Sequence, residues 1–327
     1  MEERRLSVSF VIPTLNASLY LERCLKSIRN QEYPAELVEI LILDGGSVDS
    51  TPGLALKYGC RVIENKKRLA EYGVQLGMLN ARGELSVIFA ADNELVGNDW
   101  LKRVAGVFNA DKNISALWGR LASGENDPAL NKYFALIQSD PLNWFLNSNL
   151  KKYLAEPVGK IDGFVLFRAY PDKPLVWGAN GLVYRADKIR DIWSQEGYLG
   201  DNDAFQYMIE KGNNKVAYFT GPFVYHHHVA RIRDWVKKWR RNFREHLLDK
   251  YSTRNMRWVF KGNFKAKLFL WALYSALPLA AFAHSLYLSA RDRNIYWLLH
   301  APVSCVQFYT YLFLALGSKK AVSLLKR

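Results

Sequence analysis

The stretch Glu-Leu-Ser-Val-Ile-Phe-Ala-Ala-Asp-Asn-Glu-Leu at residues 84–95 changes from apolar to acidic within a few positions. Its first half is rich in β-forming residues and predicts a buried strand. Asp92, Asn93 and Glu94 follow where that strand ends. Ligands of open α/β sheets bind outside the carboxyl ends of the strands, so these residues are candidates for a binding site. A strand followed by a polar turn and a helix cap explains the stretch better when it is taken alone, and the motifs around it favour the binding site.

The chain on either side alternates between strand and helix patterns. The predicted strands are residues 7–12, 37–43, 61–63, 182–184 and 216–225, and the predicted helices include 49–56, 69–81 and 203–211. This alternation predicts an α/β fold with a doubly wound sheet covered on both faces. The polar turns at 14–16, 44–47 and 92–94 would then share one edge of the sheet. No GxGxxG or P-loop pattern is present, so a nucleotide would be held in another way.

The 327 residues carry a formal net charge of +14. An anionic membrane surface accounts for this charge better than nucleic acid does. The basic residues lie beside two long apolar segments, and no groove-reading or single-strand-binding module accompanies them. Cys24, Cys60 and Cys305 lack metal-binding spacing, which predicts a reducing compartment and no disulfides. The first residues lead into a strand without a signal-peptide pattern.

Several short motifs occur in order at the predicted strand ends. They lie at residues 10–16, 42–49, 69–71, 80–84, 90–93, 177–181 and 200–203. Together they resemble glycosyltransferase family 2, with its GT-A fold, over about residues 5–230. The resemblance implies an inverting sugar transferase that uses a nucleoside diphosphate sugar (UDP- or GDP-linked) and a divalent cation, Mg²⁺ or Mn²⁺.

The resemblance also implies roles for residues in the first strand turns. It assigns nucleotide binding to Pro13, Thr14, Asn16, Asp44 and Ala91, with Asp44 accepting a hydrogen bond from the base. Two simpler explanations stay open. Asp44 could be a turn acid that caps the 49–56 helix, and Asn16 could be an ordinary turn residue.

The resemblance also assigns a metal ligand and a catalytic base. Asp92 matches the second acid of the family's Asp-x-Asp metal motif, but Ala90 replaces the first acid. One carboxylate suffices in principle for an ion that bridges a diphosphate, and Glu94 is a candidate to assist. Asp201 matches the catalytic base, although Gly200 replaces the acid before it. A helix cap is the alternative role for Asp201.

A glycine-flanked loop precedes the predicted 182–184 strand. The resemblance places Gly178 and Asn180 of this loop against the donor sugar, and a bulged strand entry is the alternative. Residues 226–228 are three successive histidines. Neighbouring side chains of a strand point to opposite faces, so a three-histidine metal site is not expected. The resemblance gives one of the three a contact with the diphosphate or metal, without indicating which.

The remaining segments predict a membrane-associated enzyme. Residues 123–176 break the alternating pattern and predict an acceptor-side insert in the 1–230 catalytic domain, or a plain helical subdomain. In residues 231–265 an apolar, mainly aromatic stripe recurs at helical spacing among basic residues: Trp235, Trp239, Phe243 and Leu247. It predicts basic amphipathic helices with this stripe in the headgroup layer, or a solvated helix. Four arginines there suit an acceptor phosphate: Arg231, Arg233, Arg240 and Arg244.

Residues 266–317 contain apolar segments at 268–289 and 295–317, each long enough to cross a bilayer core of about 30 Å. They predict a two-helix transmembrane hairpin followed by a basic cytoplasmic tail at 318–327. The positive charge flanking the hairpin predicts a cytoplasmic catalytic domain. Two buried helices of a soluble domain, or a hairpin lying in the membrane plane, are the alternatives.

Polyprenyl phosphate is the acceptor that these features favour, ahead of a lipid-linked saccharide or a glycerolipid. A processive polysaccharide synthase is less favoured. Residues 239–242 do not match the Gln-x-x-Arg-Trp signature of such synthases, and only two spans are expected. A non-catalytic nucleotide-sugar-binding protein also stays open because of Ala90 and Gly200.

Overall fold

The computed structural model describes residues 4–146, 149–173, 175, 180–194, 199–227, 231–244 and 264–325. The chain divides into two compact units. The first unit contains Met1–Ala122 and Asn149–His226, and the second contains Ser123–Ser148 and His227–Arg327. The predicted insert 123–176 is thus divided, because its first half belongs to the second unit and the rest to the first.

The first unit is built on one mixed sheet. Its strands are β1 (Val8–Thr14), β2 (Val38–Asp44), β3 (Arg61–Glu64), β4 (Leu85–Ile88), β5 (Asn93–Leu95), β6 (Ala116–Ala122), β7 (Gly159–Ile161), β8 (Phe164–Arg168), β9 (Leu182–Arg185) and β10 (Lys215–His226). They are ordered β3-β2-β1-β4-β9-β6-β10-β8-β7, and β5 pairs with β10. The strands β1 to β4 are mutually parallel, as the alternating sequence pattern predicts.

Helices cover both faces of this sheet. They are α1 (Ser18–Arg29), α2 (Thr51–Lys57), α3 (Ala70–Asn80), α4 (Trp100–Ala110), α7 (Asn149–Ala155), α8 (Arg190–Trp193) and α9 (Asp201–Glu210). Side chains alternate along β1, so Phe10 and Ile12 pack in the core beneath α1 and α4, whereas Val11 packs in the core beneath α3. This arrangement confirms the predicted two-sided α/β architecture.

Two features of the sheet differ from the sequence pattern. The stretch 84–95 forms two strands rather than one, because β4 ends at Ile88 and residues 93–95 pair with β10 as β5. The strand β9 runs antiparallel between β4 and β6. The strands that pair with β5 and β9 are far from them in sequence, so local periodicity contains no signal for these pairings.

The second unit is helical. It contains α5 (Ala129–Ile137), α6 (Pro141–Leu146), α10 (Ile232–Arg241), α11 (Phe264–Ala276), α12 (Pro278–Arg291), α13 (His300–Leu316) and α14 (Lys319–Leu325). The aromatic stripe predicted to lie in the headgroup layer is instead buried in this unit. Trp235 stacks on Phe134, and Trp239 and Phe243 pack near Tyr311. Because these aromatic side chains are buried, the exposed residues of α10 are mostly basic. Leu247, the next residue of the predicted stripe, lies outside the described residues.

The two predicted membrane spans differ in form. Ile295–Leu316 is long and apolar enough to cross a bilayer. The other segment meets the same test only as a pair of helices, Ala266–Ala276 and Pro278–Arg291, bent by 92°. The predicted continuous 268–289 helix is therefore wrong. Pro278 lacks an N–H and disfavours helical backbone at Leu277, so one helix ends and another begins there.

Candidate active site

The turns after β1 and β2 are joined through Asp44. Its buried carboxylate accepts hydrogen bonds from the Thr14 hydroxyl (3.1 Å), the Ser47 hydroxyl (2.5 Å), and the backbone N–H groups of Gly46 (3.1 Å) and Ser47 (2.9 Å). Parallel pairing sets Thr14 directly opposite Asp44, which brings the two turns together. Asp44 therefore shapes the turn. An N–H of a nucleotide base would have to displace the hydroxyl of Thr14 or Ser47 to reach the Asp44 carboxylate.

Asn16 bridges the same turns from the other side. It adopts a left-handed backbone conformation (φ 51°), its side-chain oxygen accepts from Val48 N–H at 2.9 Å, and its own N–H donates to the Ser47 hydroxyl at 2.8 Å. The first N–H of α2, that of Thr51, donates to Asp49 and not to Asp44, and Asp49 also accepts from the N–H of Ser18. Hydrogen bonds with these two residues hold the pKa of Asp49 far below its usual range.

Asp92 lies at the same sheet edge, beside the end of β10. One of its carboxylate oxygens is 3.5 Å from Nε2 of His226, and both side chains are partly exposed, 24% and 13% respectively. Asn180 links His226 to Asn93. Its amide nitrogen is 3.4 Å from His226 Nδ1, and its amide oxygen accepts from Asn93 at 3.2 Å. An amide nitrogen only donates, so a hydrogen bond here requires a neutral ring with Nδ1 as acceptor and its proton on Nε2, facing Asp92.

This group has the composition of a divalent-cation and diphosphate site. In the part of the chain that the structure describes, no three His, Cys, Asp or Glu side chains group closely enough to hold a metal ion by themselves. Mg²⁺ and Mn²⁺ require only one or two carboxylates when substrate phosphates supply the other oxygens. Asp92 fits that role. Glu94 pairs with Arg23 (3.7 Å), which favours a structural role over help with the metal.

Asp201 is the first residue of α9, where the helix dipole favours a negative charge. Burial, and after it the nearby Asp201 carboxylate, raises the pKa of Tyr184 well above its usual range. Asp201 therefore lies near β9, next to β4 in the sheet. Its assignment as the base stays a prediction.

Other predicted site residues have different outcomes. Gly178 and His228 lie outside the described residues. His227 belongs to the second unit and contacts Asp127 at 2.8 Å, so adjacent histidines do have different partners, as predicted. Pro13 lies on β1 and Ala91 in the turn before β5, both partly exposed. Arg231, Arg233, Arg240 and Arg244 are all exposed residues of the second unit.

Sequence reasoning gave no role to Ser47 and did not choose His226 among the three histidines, and it named Asn93 as one of the polar residues after β4 without its contact with Asn180. The signal for Ser47 was its place in the glycine turn after β2. His226 could not be chosen over its neighbours, because its orientation follows from its pairing opposite Asn93 in the antiparallel β5–β10 ladder. That pairing joins residues more than 100 positions apart.

Residues 9–171 match the model of glycosyl transferase family 2. This segment is a glycosyltransferase family 2 domain. It includes β1 to β8, and therefore Asp44 and Asp92. Asn180, Asp201 and His226 follow it in the chain.

Two curated relatives match part of this chain. One is a dolichyl N-acetyl-alpha-D-glucosaminyl phosphate 3-beta-D-2,3-diacetamido-2,3-dideoxy-beta-D-glucuronosyltransferase of Methanococcus voltae. This chain is 38% identical to it over 91 residues, which are 26% of this chain and 28% of that protein. Glycosyltransferase GlyA of Streptococcus pneumoniae serotype 4 is 19% identical over 242 residues, 71% of this chain and 32% of GlyA. The chain thus spans less than a third of either relative.

A solved structure resembles this chain over most of its length. The mannosyltransferase PcManGT from Pyrobaculum calidifontis, in complex with GDP-Man and Mn²⁺, superposes with a TM-score of 0.54 and 16% identity. The match covers 94% of this chain and 88% of that one. At this identity the likeness establishes the GT-A-like fold alone.

Proposed function

We propose that this protein is an inverting glycosyltransferase that moves a sugar from a UDP- or GDP-sugar to polyprenyl phosphate at the cytoplasmic membrane face. The observation that carries the proposal is the Asp92–His226 pair at the carboxyl edge of a family 2 sheet, linked to Asn180. A carboxylate, an imidazole N–H and an amide at one edge match the needs of a diphosphate, its cation and a sugar.

Each residue would have a distinct task. Asp92 would hold the divalent cation, which neutralises negative charge on the departing nucleoside diphosphate. His226 would donate from Nε2 to Asp92 or to a diphosphate oxygen, and Asn180 would keep that tautomer and orient the donor sugar. Thr14, Asn16 and Asp44 would form the wall for the nucleotide. Asp201 would accept the proton of an acceptor hydroxyl, where the acceptor has one.

The comparisons support the donor class and a lipid-linked acceptor. PcManGT was crystallised with GDP-Man and Mn²⁺. The name of the Methanococcus voltae relative identifies its acceptor as a saccharide on dolichyl phosphate. That name favours a lipid-linked saccharide as the second candidate acceptor for this protein. The basic α10 and the apolar α13 are consistent with either lipid.

Membrane attachment would come from the second unit. α13 and the turn before it would form one span, and α11 with α12 would form either a broken span or a re-entrant loop. Neither α11 nor α12 alone has the roughly 20 residues that a span requires.

Transfer of labelled sugar into lipid tests the proposal. Purified full-length protein in liposomes would receive a panel of UDP- and GDP-sugars with polyprenyl phosphate, with and without EDTA. A chelator-sensitive lipid product is expected with one donor. Product only from a lipid-linked saccharide would favour the second candidate. Neither product nor nucleotide release with any donor would contradict a transferase and favour a nucleotide-sugar-binding protein.

A further inference from the structure

The second unit contains a groove where basic and apolar side chains meet. Its volume is about 520 Å³, and it lies between the end of the basic helix and α13. Arg240 and Arg244 line its basic side, and Val306, Tyr309 and Phe313 line its apolar side. Phe313 is 70% exposed and Tyr309 43% exposed, within the segment suited to cross a bilayer.

The two arginines are presented together. They are four residues apart, about one helical turn, so their side chains lie on the same side of the basic segment. The buried aromatic residues Trp239 and Phe243, which pack near Tyr311 of α13, fix which side that is. Each arginine directly follows one of them, so it lies about 100° further round the helix, at the edge of the packed side and beside α13. Among the described acidic residues, only Asp234 pairs with an arginine of α10, and its partner is Arg233 (3.9 Å).

Charge indicates which lipid fits. A phosphate monoester carries about −1.5 to −2 charges at neutral pH, whereas the phosphodiester of an ordinary bilayer lipid carries one. Two guanidinium groups match the monoester in charge and can bind its oxygens in bidentate fashion. The adjoining apolar wall on α13 would accommodate a hydrocarbon chain that continues from the phosphate.

We propose that this groove is the binding site for a lipid monophosphate, with the phosphate on Arg240 and Arg244 and the hydrocarbon chain along α13. Arg231 and Arg233 do not line the groove and are not part of the site. The inference rests on the proposed transfer to a lipid phosphate and deepens it, because it assigns the acceptor to two of the four candidate arginines.

Cys305 provides a reporter of occupancy that does not depend on activity. It lines the groove and is partly exposed. The other two cysteines, Cys24 and Cys60, are buried and therefore out of reach of a reagent while the protein is folded. A maleimide applied at neutral pH to full-length protein in liposomes of neutral lipid should therefore label Cys305 selectively.

The experiment measures the rate of Cys305 labelling with polyprenyl phosphate, with the matching polyprenol, with a phosphodiester lipid or with inorganic phosphate. We expect polyprenyl phosphate to slow labelling at least about fivefold and the other three to have little effect. Arg240→Gln together with Arg244→Gln should abolish the protection. The matched control, Arg231→Gln with Arg233→Gln, should retain it.

Equal protection by polyprenol or by the phosphodiester lipid would overturn the proposal, as would protection that survives in the Arg240/Arg244 double variant. Loss of protection in the Arg231/Arg233 control would also overturn it. The proposed function can fail separately from this site. Protection of Cys305 without any sugar transfer would contradict the proposed function and support the lipid site. Sugar transfer that is unaffected by the Arg240/Arg244 double variant would support the proposed function and contradict the lipid site.

Discussion

At the scale of single residues, the candidate site depends on hydrogen bonds between its own side chains. Asp44 and Asp92 were predictable, because an acid directly after an apolar strand is visible in the sequence. The hydrogen bonds of Asp44 to Thr14 and Ser47, and the choice of His226, were not. They depend on the register between strands, which local sequence does not encode.

Asp201 provides a test of the acceptor at this scale. A hydroxyl acceptor needs a base, whereas a phosphate is already anionic at neutral pH. Asp201→Asn should therefore lower kcat by about 10²- to 10⁴-fold with a lipid-linked saccharide and by less than about tenfold with polyprenyl phosphate. Initial rates with each acceptor would measure this, with Asp191→Asn on the exposed side of α8 as the control. An unchanged kcat with a hydroxyl acceptor would show that Asp201 is not the base.

At the scale of elements, α3 packs so closely on the sheet that only glycine fits at one position. A Cβ at Gly77 would overlap with Val11 of β1, whereas a Cβ at Gly53 of α2 would meet nothing within 4 Å. Gly77→Ala should reduce the free energy of unfolding by about 1–3 kcal/mol, despite the better helix propensity of alanine.

Gly53→Ala is the matched change in an open position and should be neutral or stabilising by up to about 1 kcal/mol. Denaturant unfolding of both variants, followed by circular dichroism, measures the difference. Equal stabilities for the two variants would mean that α3 does not pack on β1 as described.

Sequence periodicity identified the strands β1 to β4, β9 and β10, gave no prediction for α4, β6, β7 or β8, and failed where non-local contacts or proline intervene. The strands β1 to β4 and the helices between them were predictable from apolar spacing. The short strand β5 was not, because its partner β10 lies far along the chain. The bend at Pro278 was missed because composition alone decided the 268–289 prediction, although proline is a local signal.

At the scale of the whole molecule, the chain combines a family 2 domain with a helical unit whose surface is basic on α10 and apolar on α12 and α13. Leu279, Phe282 and Leu286 are exposed on α12, as is Phe313 on α13. Large apolar side chains grouped on an exposed surface indicate contact with a membrane or a partner. Two spans with both ends cytoplasmic remain the predicted topology.

Single cysteines on either side of α13 test that topology. In a Cys305→Ser background, Ala290→Cys marks the end of α12 and Lys319→Cys the start of α14, both exposed positions. With an impermeant maleimide on intact cells, we expect labelling at 290 and none at 319. Labelling at 319 alone would indicate that only α13 crosses, and labelling at neither position would indicate an in-plane anchor.

The most direct test of the central claim is the sugar-transfer assay applied to Asp92→Asn, with Asp99→Asn as the control. Both substitutions remove one negative charge from the same region, but Asp99 is exposed at the start of α4. We expect a chelator-sensitive lipid product for wild type and for Asp99→Asn. For Asp92→Asn we expect a loss of at least about 100-fold in rate, since even residues that only support a metal ligand contribute 10- to 100-fold. A near-normal rate for Asp92→Asn, or a product that forms equally well in EDTA, would contradict the central claim.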